Sequence, residues 1–115
     1  MIGPPVGTRI WLAAGVTDMR AEMNGLAAKV ETALAEDPYC GHVFVFRGRR
    51  GDMLKVLWWS GDGLCLLAKR LERGHFVWPQ ASSGSVCLTQ AQLPMLLEGI
   101  DWRRPGRTWR PTSAL

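Results

Sequence analysis

Three glycine-marked turns cut the apolar middle of the chain into short lengths, and this punctuation constrains the fold more than any other feature. Val43-Phe44-Val45-Phe46 is a β-prone run. It meets Gly48-Arg49-Arg50-Gly51, a turn because its outer glycines permit positive φ. Met53 to Trp59 is the return segment, and Gly61-Asp62-Gly63 is a second turn containing the hairpin-favouring Asp-Gly pair. Leu64 to Leu71 comes next. Glu72-Arg73-Gly74 then turns the chain into His75-Phe76-Val77-Trp78, which Pro79 stops because proline has no N–H for a ladder. Short segments joined by tight turns pair most simply with their neighbours, so the pattern predicts an antiparallel β-meander of three to four strands.

Helical signals flank the meander. Arg9 to Ala14 is a candidate short strand, and a helix is expected to follow, with Thr17 as its N-cap and Asp18 against the positive end of its dipole. Met19, Met23, Leu26, Val30 and Ala33 or Leu34 recur at spacings of three and four, one apolar face of a 3.6-period helix that Asp37-Pro38 ends. After a candidate strand at Ser85 to Leu88, Thr89 and Gln92 have capping-box spacing. Leu93, Leu96, Leu97 and Ile100 mark a short helix, with Pro94 near its first turn and Gly99 at its end. The expected architecture is α+β: an N-terminal amphipathic helix, the meander, a short C-terminal helix and a basic extended tail. One domain over 1–102 and a tail over 103–115 account for the whole chain.

Several function classes are disfavoured. No run of 18 apolar residues exists to span a membrane, and Met1-Ile2-Gly3-Pro4-Pro5 lacks the form of a secretory signal, so a cytoplasmic location is expected. Cys40, Cys65 and Cys87 are odd in number and widely spaced, with no CxxC pair; Cys65 and Cys87 sit in apolar runs and read as small core residues. The glycines around Arg49 lack phosphate-loop spacing, and the serines at 82, 83 and 85 have no paired His and Asp motif. Asp18, Asp52, Asp62 and Glu72 all fall where turns or helix starts use acids for backbone reasons. The expectation is a non-enzyme with no catalytic residue, metal, cofactor or small-molecule substrate.

The basic residues point to an anionic partner. The net charge is +4, and the segment from Arg103 carries four arginines (Arg103, Arg104, Arg107 and Arg110) with no acid, leaving the rest of the chain neutral. A second cluster, Arg47, Arg49 and Arg50, surrounds the first tight turn, and Lys55, Lys69, Arg70 and Arg73 follow along the meander. Arginine forks match phosphate geometry, so these residues form the candidate nucleic-acid-binding set. Of six tryptophans, Trp58-Trp59 follow Lys55 and Trp109 sits between Arg107 and Arg110, making these three candidate interaction residues. Trp11, Trp78 and one of Trp58 and Trp59 read as core. A three-residue loop at 61–63 would set Trp59 opposite Cys65, Leu57 opposite Leu67 and Lys55 opposite Lys69. Basic turns beside aromatics suit either DNA contact or a protein-interaction module whose exposed Trp and Arg act as anchors.

Longer words in the chain resemble a known family. They are Val16-Thr17-Asp18-Met19-Arg20, Gly25-Leu26-Ala27, Asp37-Pro38, Gly41 through Asp52, Lys55-Val56-Leu57-Trp58-Trp59, Gly61-Asp62-Gly63-Leu64-Cys65, Lys69 through Gly74, Phe76-Val77-Trp78-Pro79, and Leu93 through Trp102. From about Gly7 to Arg110 the chain resembles the TnpB, or Orf2-like, accessory proteins of the insertion sequence sixty-six family, which are distinct from the larger RNA-guided nucleases sharing the name. The resemblance implies a role in transposition beside a separate DDE-type transposase and companion proteins of the same element, with DNA (element ends or non-specific) as a further partner. It implies no established catalytic residues. In the family pattern Asp-Met-Arg continues with lysine, a small residue and an aromatic; here it continues Ala21-Glu22-Met23, without the positive charge at 21.

Overall fold

A computed structural model describes residues 6–80 and 84–103. Strand β1 (Ile10–Val16) leads to helix α1 (Met23–Ala33), followed by β2 (Val43–Arg47), β3 (Met53–Trp59) and β4 (Leu64–Arg70). β5 (Ser85–Leu88) and α2 (Gln92–Leu97) complete the described elements. The strands form one sheet in the order β4-β3-β2-β1-β5.

The α+β class is as expected, but the sheet is mixed and not a simple meander. β2, β3 and β4 are antiparallel neighbours, as their tight turns require. β1 runs parallel to β2, with Ile10 opposite Val43, and α1 is the crossover that parallel pairing demands. β5 adds antiparallel to the other edge of β1. The fourth meander strand at His75 to Trp78 does not form. Phe76 is buried, its N–H donates to the Gly51 carbonyl at 2.8 Å, and this segment crosses the sheet face instead of extending it.

The first helix is neither the opening element nor as long as its apolar spacing suggests. It starts at Met23, six residues after Thr17, and Glu22 occupies the cap position without a capping side-chain bond. The residues before it are held in a loop. Thr17 N–H donates to Arg47 O at 2.8 Å, extending the β1–β2 contact, and Asp18 Oδ1 accepts from Arg20 N–H at 2.9 Å in an Asx-type turn. Leu26, Ala27 and Val30 are the buried face of α1, Met23 is exposed, and Met19 lies in the loop. At the other end of the chain the capping box forms: Gln92 N–H donates to Thr89 Oγ1 at 3.1 Å and Thr89 N–H to Gln92 Oε1 at 2.8 Å. Gly99 at φ +78 closes α2 in a Schellman arrangement, with Ile100 N–H on Met95 O and Gly99 N–H on Leu96 O.

The sheet is covered on both faces, so Val43 to Phe46 are all buried although their side chains alternate. Phe44, Phe46 and Leu57 pack under Leu26, Ala27 and Val30 of α1. Val43, Val45, Leu54 and Val56 face Phe76, Leu93, Leu96 and Trp102. Trp102 is buried, and its indole N–H donates to the Val77 carbonyl, so it anchors the chain after α2. Cys65 is half-buried and Cys87 exposed, so Cys87 is not the core residue expected; it lies on β5, an edge strand.

Candidate functional site

Strands β1, β2 and β4 end, and β3 begins, at one edge of the sheet, and the loops there enclose a cleft of about 540 Å³. Val16 to Arg20 form one wall, the turn from Gly48 to Arg50 with Asp52 and Met53 another, and Arg70 reaches in from the end of β4. Arg20, Arg49, Arg50 and Arg70 therefore converge from three separate segments, with Asp18 and Asp52 among them.

Local bonding sets each wall. Gly51 N–H donates to Gly48 O at 3.1 Å, closing a turn with Arg49 and Arg50 at its centre. Gly51 has φ +76, a conformation that glycine adopts without steric cost. Its carbonyl accepts from Phe76 N–H at 2.8 Å and Trp78 Nε1 at 3.4 Å, so the arginine turn is held from behind. Met19 lies across Gly48, where an added Cβ would sit 2.7 Å from Met19 Cγ. Asp18 and Arg20 form a two-pronged ion pair, the shortest contact being 2.8 Å. The Arg20 guanidinium hydrogen bond, with the Arg20 backbone N–H, pulls the Asp18 carboxyl down to about 2, and Arg49 adds a smaller attraction. Thr17 is buried in the same wall, and its hydroxyl has no hydrogen-bond partner.

The candidate residues separate into distinct environments. Arg49 and Arg50 are exposed at the turn, and neither forms an ion pair among the described residues. Arg70 is exposed, 3.7 Å from Glu72. Arg73 is exposed in the turn after β4. Arg47 points to the other face, with its guanidinium carbon 5.4 Å from the Trp78 ring centre. Lys55 is turned inward and leaves the solvent-facing set. It is 5% exposed, and its Nζ donates to the Ala21 carbonyl at 2.9 Å and lies 3.7 Å from Glu22, so it ties β3 to the start of α1. The loop between β3 and β4 spans residues 60–63, one residue longer than expected. Trp58 therefore faces Cys65, Lys55 faces Ala68 and Leu54 faces Lys69, and no face carries a paired Lys55 and Lys69. Trp58 and Trp59 lie on opposite faces: Trp58 packs on the α2-side core and Trp59 meets Tyr39 edge-on at 5.4 Å. Arg103 pairs with Asp101 at 3.0 Å. Arg104, Arg107, Trp109 and Arg110 lie outside the described residues.

Arg20 and Arg70 are joined to the arginine turn by the fold, whereas a helix capped at Thr17 would have put Arg20 in its first turn. The Asp-x-Arg spacing of an Asx turn was the signal for its loop position. Among the described residues no three His, Cys, Asp or Glu side chains converge to hold a metal ion, and no helix is long and apolar enough to cross a membrane.

The two sequence words that make this cleft, around Asp18 and around Arg49, both fall inside the segment matched by the family described as IS66 Orf2-like protein, which covers residues 8–107. The chain belongs to the IS66 Orf2-like family. Two relatives from Sinorhizobium fredii are similar over nearly their whole length. The uncharacterized protein y4hO is 54% identical over 91% of each chain, and the uncharacterized protein y4jC is 44% identical over 98% of each. No solved structure matches the chain. Membership in the IS66 Orf2-like family carries an accessory role in transposition.

Proposed function

We propose that this IS66 Orf2-like protein serves transposition by holding DNA through phosphate contacts at the arginine-lined edge of its sheet, without itself catalysing a bond change. The observation that carries the reading is the convergence of Arg20, Arg49, Arg50 and Arg70 on one cleft. Among the described residues Arg49 and Arg50 form no ion pair, at a turn braced from behind, so they meet a phosphate without first breaking a carboxylate contact there. Arg73 and the sequence charge of Arg103, Arg104, Arg107 and Arg110 add affinity for non-specific contact; Lys55, being buried, takes no part.

Fluorescence anisotropy against labelled element-end DNA and scrambled DNA at two salt concentrations tests this. Binding is expected to weaken with a log–log slope of about 0.9 per phosphate contacted, and Arg49→Ala with Arg50→Ala to reduce that slope by about two and the affinity by roughly ten- to a hundredfold. Salt-insensitive binding, or no binding to either DNA, overturns the reading. In the second case the protein's work is to dock on the transposase, which co-purification from nuclease-treated lysate then detects.

A further inference from the structure

The cleft has more shape than backbone contact with a duplex needs. A double helix is met by projecting elements or broad basic surfaces, whereas this site is concave and of a size suited to one small ligand. Its lining is also of two kinds. Among the lining residues four guanidiniums and two carboxylates leave a surplus of two positive charges; Glu72, outside the lining, meets Arg70 at 3.7 Å in an exposed and therefore weak pair that a doubly charged ligand displaces. In the same walls Val16, Met19 and Met53 supply apolar surface, and Val16 is 46% exposed although it lies among charged groups. Methionine thioethers make favourable contacts with aromatic rings.

We infer that the cleft seats a terminal nucleotide, its phosphate monoester held by Arg49, Arg50 and Arg70 and its base resting against Met19 and Met53. The charge argues for a monoester. A terminal phosphate carries between one and a half and two negative charges near neutral pH, roughly matching the surplus, whereas a backbone diester or a single peptide carboxylate carries one. The apolar part of the lining argues for a base, since a bare phosphate gains nothing from it. Asp18 keeps Arg20 oriented at the rim through their two-pronged pair, and Thr17 brings a buried hydroxyl without a partner to the same wall. The nucleic-acid identity of the ligand rests on the DNA reading above; the need for a free phosphate end does not.

The test uses the full chain with a short single-stranded oligonucleotide bearing a 5′-phosphate, the same strand with a 5′-hydroxyl, a 5′-mononucleotide and inorganic phosphate. The phosphorylated strand is expected to bind roughly tenfold more tightly than its hydroxyl counterpart, the gain of one charge-assisted contact set. That preference is expected to vanish in Arg70→Gln, an exposed position, and to persist in Arg9→Gln, an exposed basic position outside the cleft lining and outside the proposed DNA-contact set. Equal binding of the two strands, or a preference that survives Arg70→Gln, overturns the inference and leaves salt-sensitive duplex binding to be judged separately. Competition by the mononucleotide as strong as by the strand supports the cleft and assigns it a free nucleotide. Competition by inorganic phosphate equal to that by the mononucleotide overturns the role of the apolar lining.

Discussion

The two turns that flank β3 use the same glycine chemistry for different ends. Residues 48–51 form a turn whose glycines are enclosed: Gly48 lies under Met19, and a Cβ on Gly51 would sit 3.4 Å from Trp78 Nε1. Residues 60–63 form a turn whose glycines have nothing within 4 Å. That second turn is held by its own atoms, with Ser60 N–H on the Gly63 carbonyl at 2.9 Å and the Ser60 hydroxyl 2.9 Å from Asp62 Oδ1. The first is held by the rest of the protein, through Phe76, Trp78 and Met19. Glycine spacing thus marks a turn, but what docks on the turn decides whether it is a free loop or a fixed platform for charged side chains.

The largest expected effect tests that bracing. Gly51→Ala places a Cβ at positive φ against Trp78 and is expected to destabilise the fold by about 2 kcal/mol in denaturant unfolding. Gly61→Ala also sits at positive φ (+103), but in open space where the turn can relax, and about 1 kcal/mol is expected. Equal losses at the two sites break the contrast. DNA affinity separates them further, because only the Gly51 change displaces Arg49 and Arg50.

The sequence carried the meander's local half because its information is local. Turn residues and short apolar runs specify β2, β3 and β4 as neighbours, and the Thr89–Gln92 capping box and Gly99 specify α2. The parallel seat of β1 beside β2 depends on pairing across α1, which no local pattern encodes. His75 to Trp78 is β-prone in composition, yet its aromatic side chains gain more by covering the sheet face. Lys55 was misplaced for a related reason: a lysine on a strand reads as solvent-facing until the Ala21 carbonyl comes to meet it. Arg49, Arg50 and Arg70 were legible as basic residues. Their meeting with Asp18 and Arg20 was not, because it joins segments some thirty to fifty residues apart.

A smaller effect probes the loop facing the braced turn. Asp18 has a folded-state value of about 2 against an ordinary 3.8, held there first by the Arg20 side-chain hydrogen bond. A lowered carboxylate stabilises the fold fully above its unfolded value and loses that contribution as pH falls through the folded one, so the window lies between about pH 4 and pH 2. Carboxyl NMR titration is expected to show the Asp18 midpoint near 2, returning toward 3.8 in Arg20→Ala. An unmoved midpoint would show that the pair does not persist in solution and that Arg20 is already free for a ligand. The contrast is with Asp62, whose carboxylate meets a serine hydroxyl and not a guanidinium.

The smallest effect bears most directly on why the turns differ. Gly48 and Gly63 both lack positive φ, so neither needs glycine for its backbone. At Gly63 an added methyl meets nothing, and Gly63→Ala is expected to stabilise by about 0.5 kcal/mol because alanine has fewer unfolded conformations to lose. At Gly48 the same methyl meets Met19 Cγ at 2.7 Å and the Met53 carbonyl at 3.3 Å, so the loss of unfolded freedom is outweighed by the displacement of Met19. Thermal unfolding of the two variants reads the difference as opposite signs. A stabilised Gly48→Ala protein would mean that Met19 moves aside freely, and its wall of the cleft would then be a pliable surface and not a built one. A destabilised Gly48→Ala beside a stabilised Gly63→Ala ties the glycine at 48 to close approach by the Asp18 loop, which is the contact that turns a hairpin tip into a wall of the cleft.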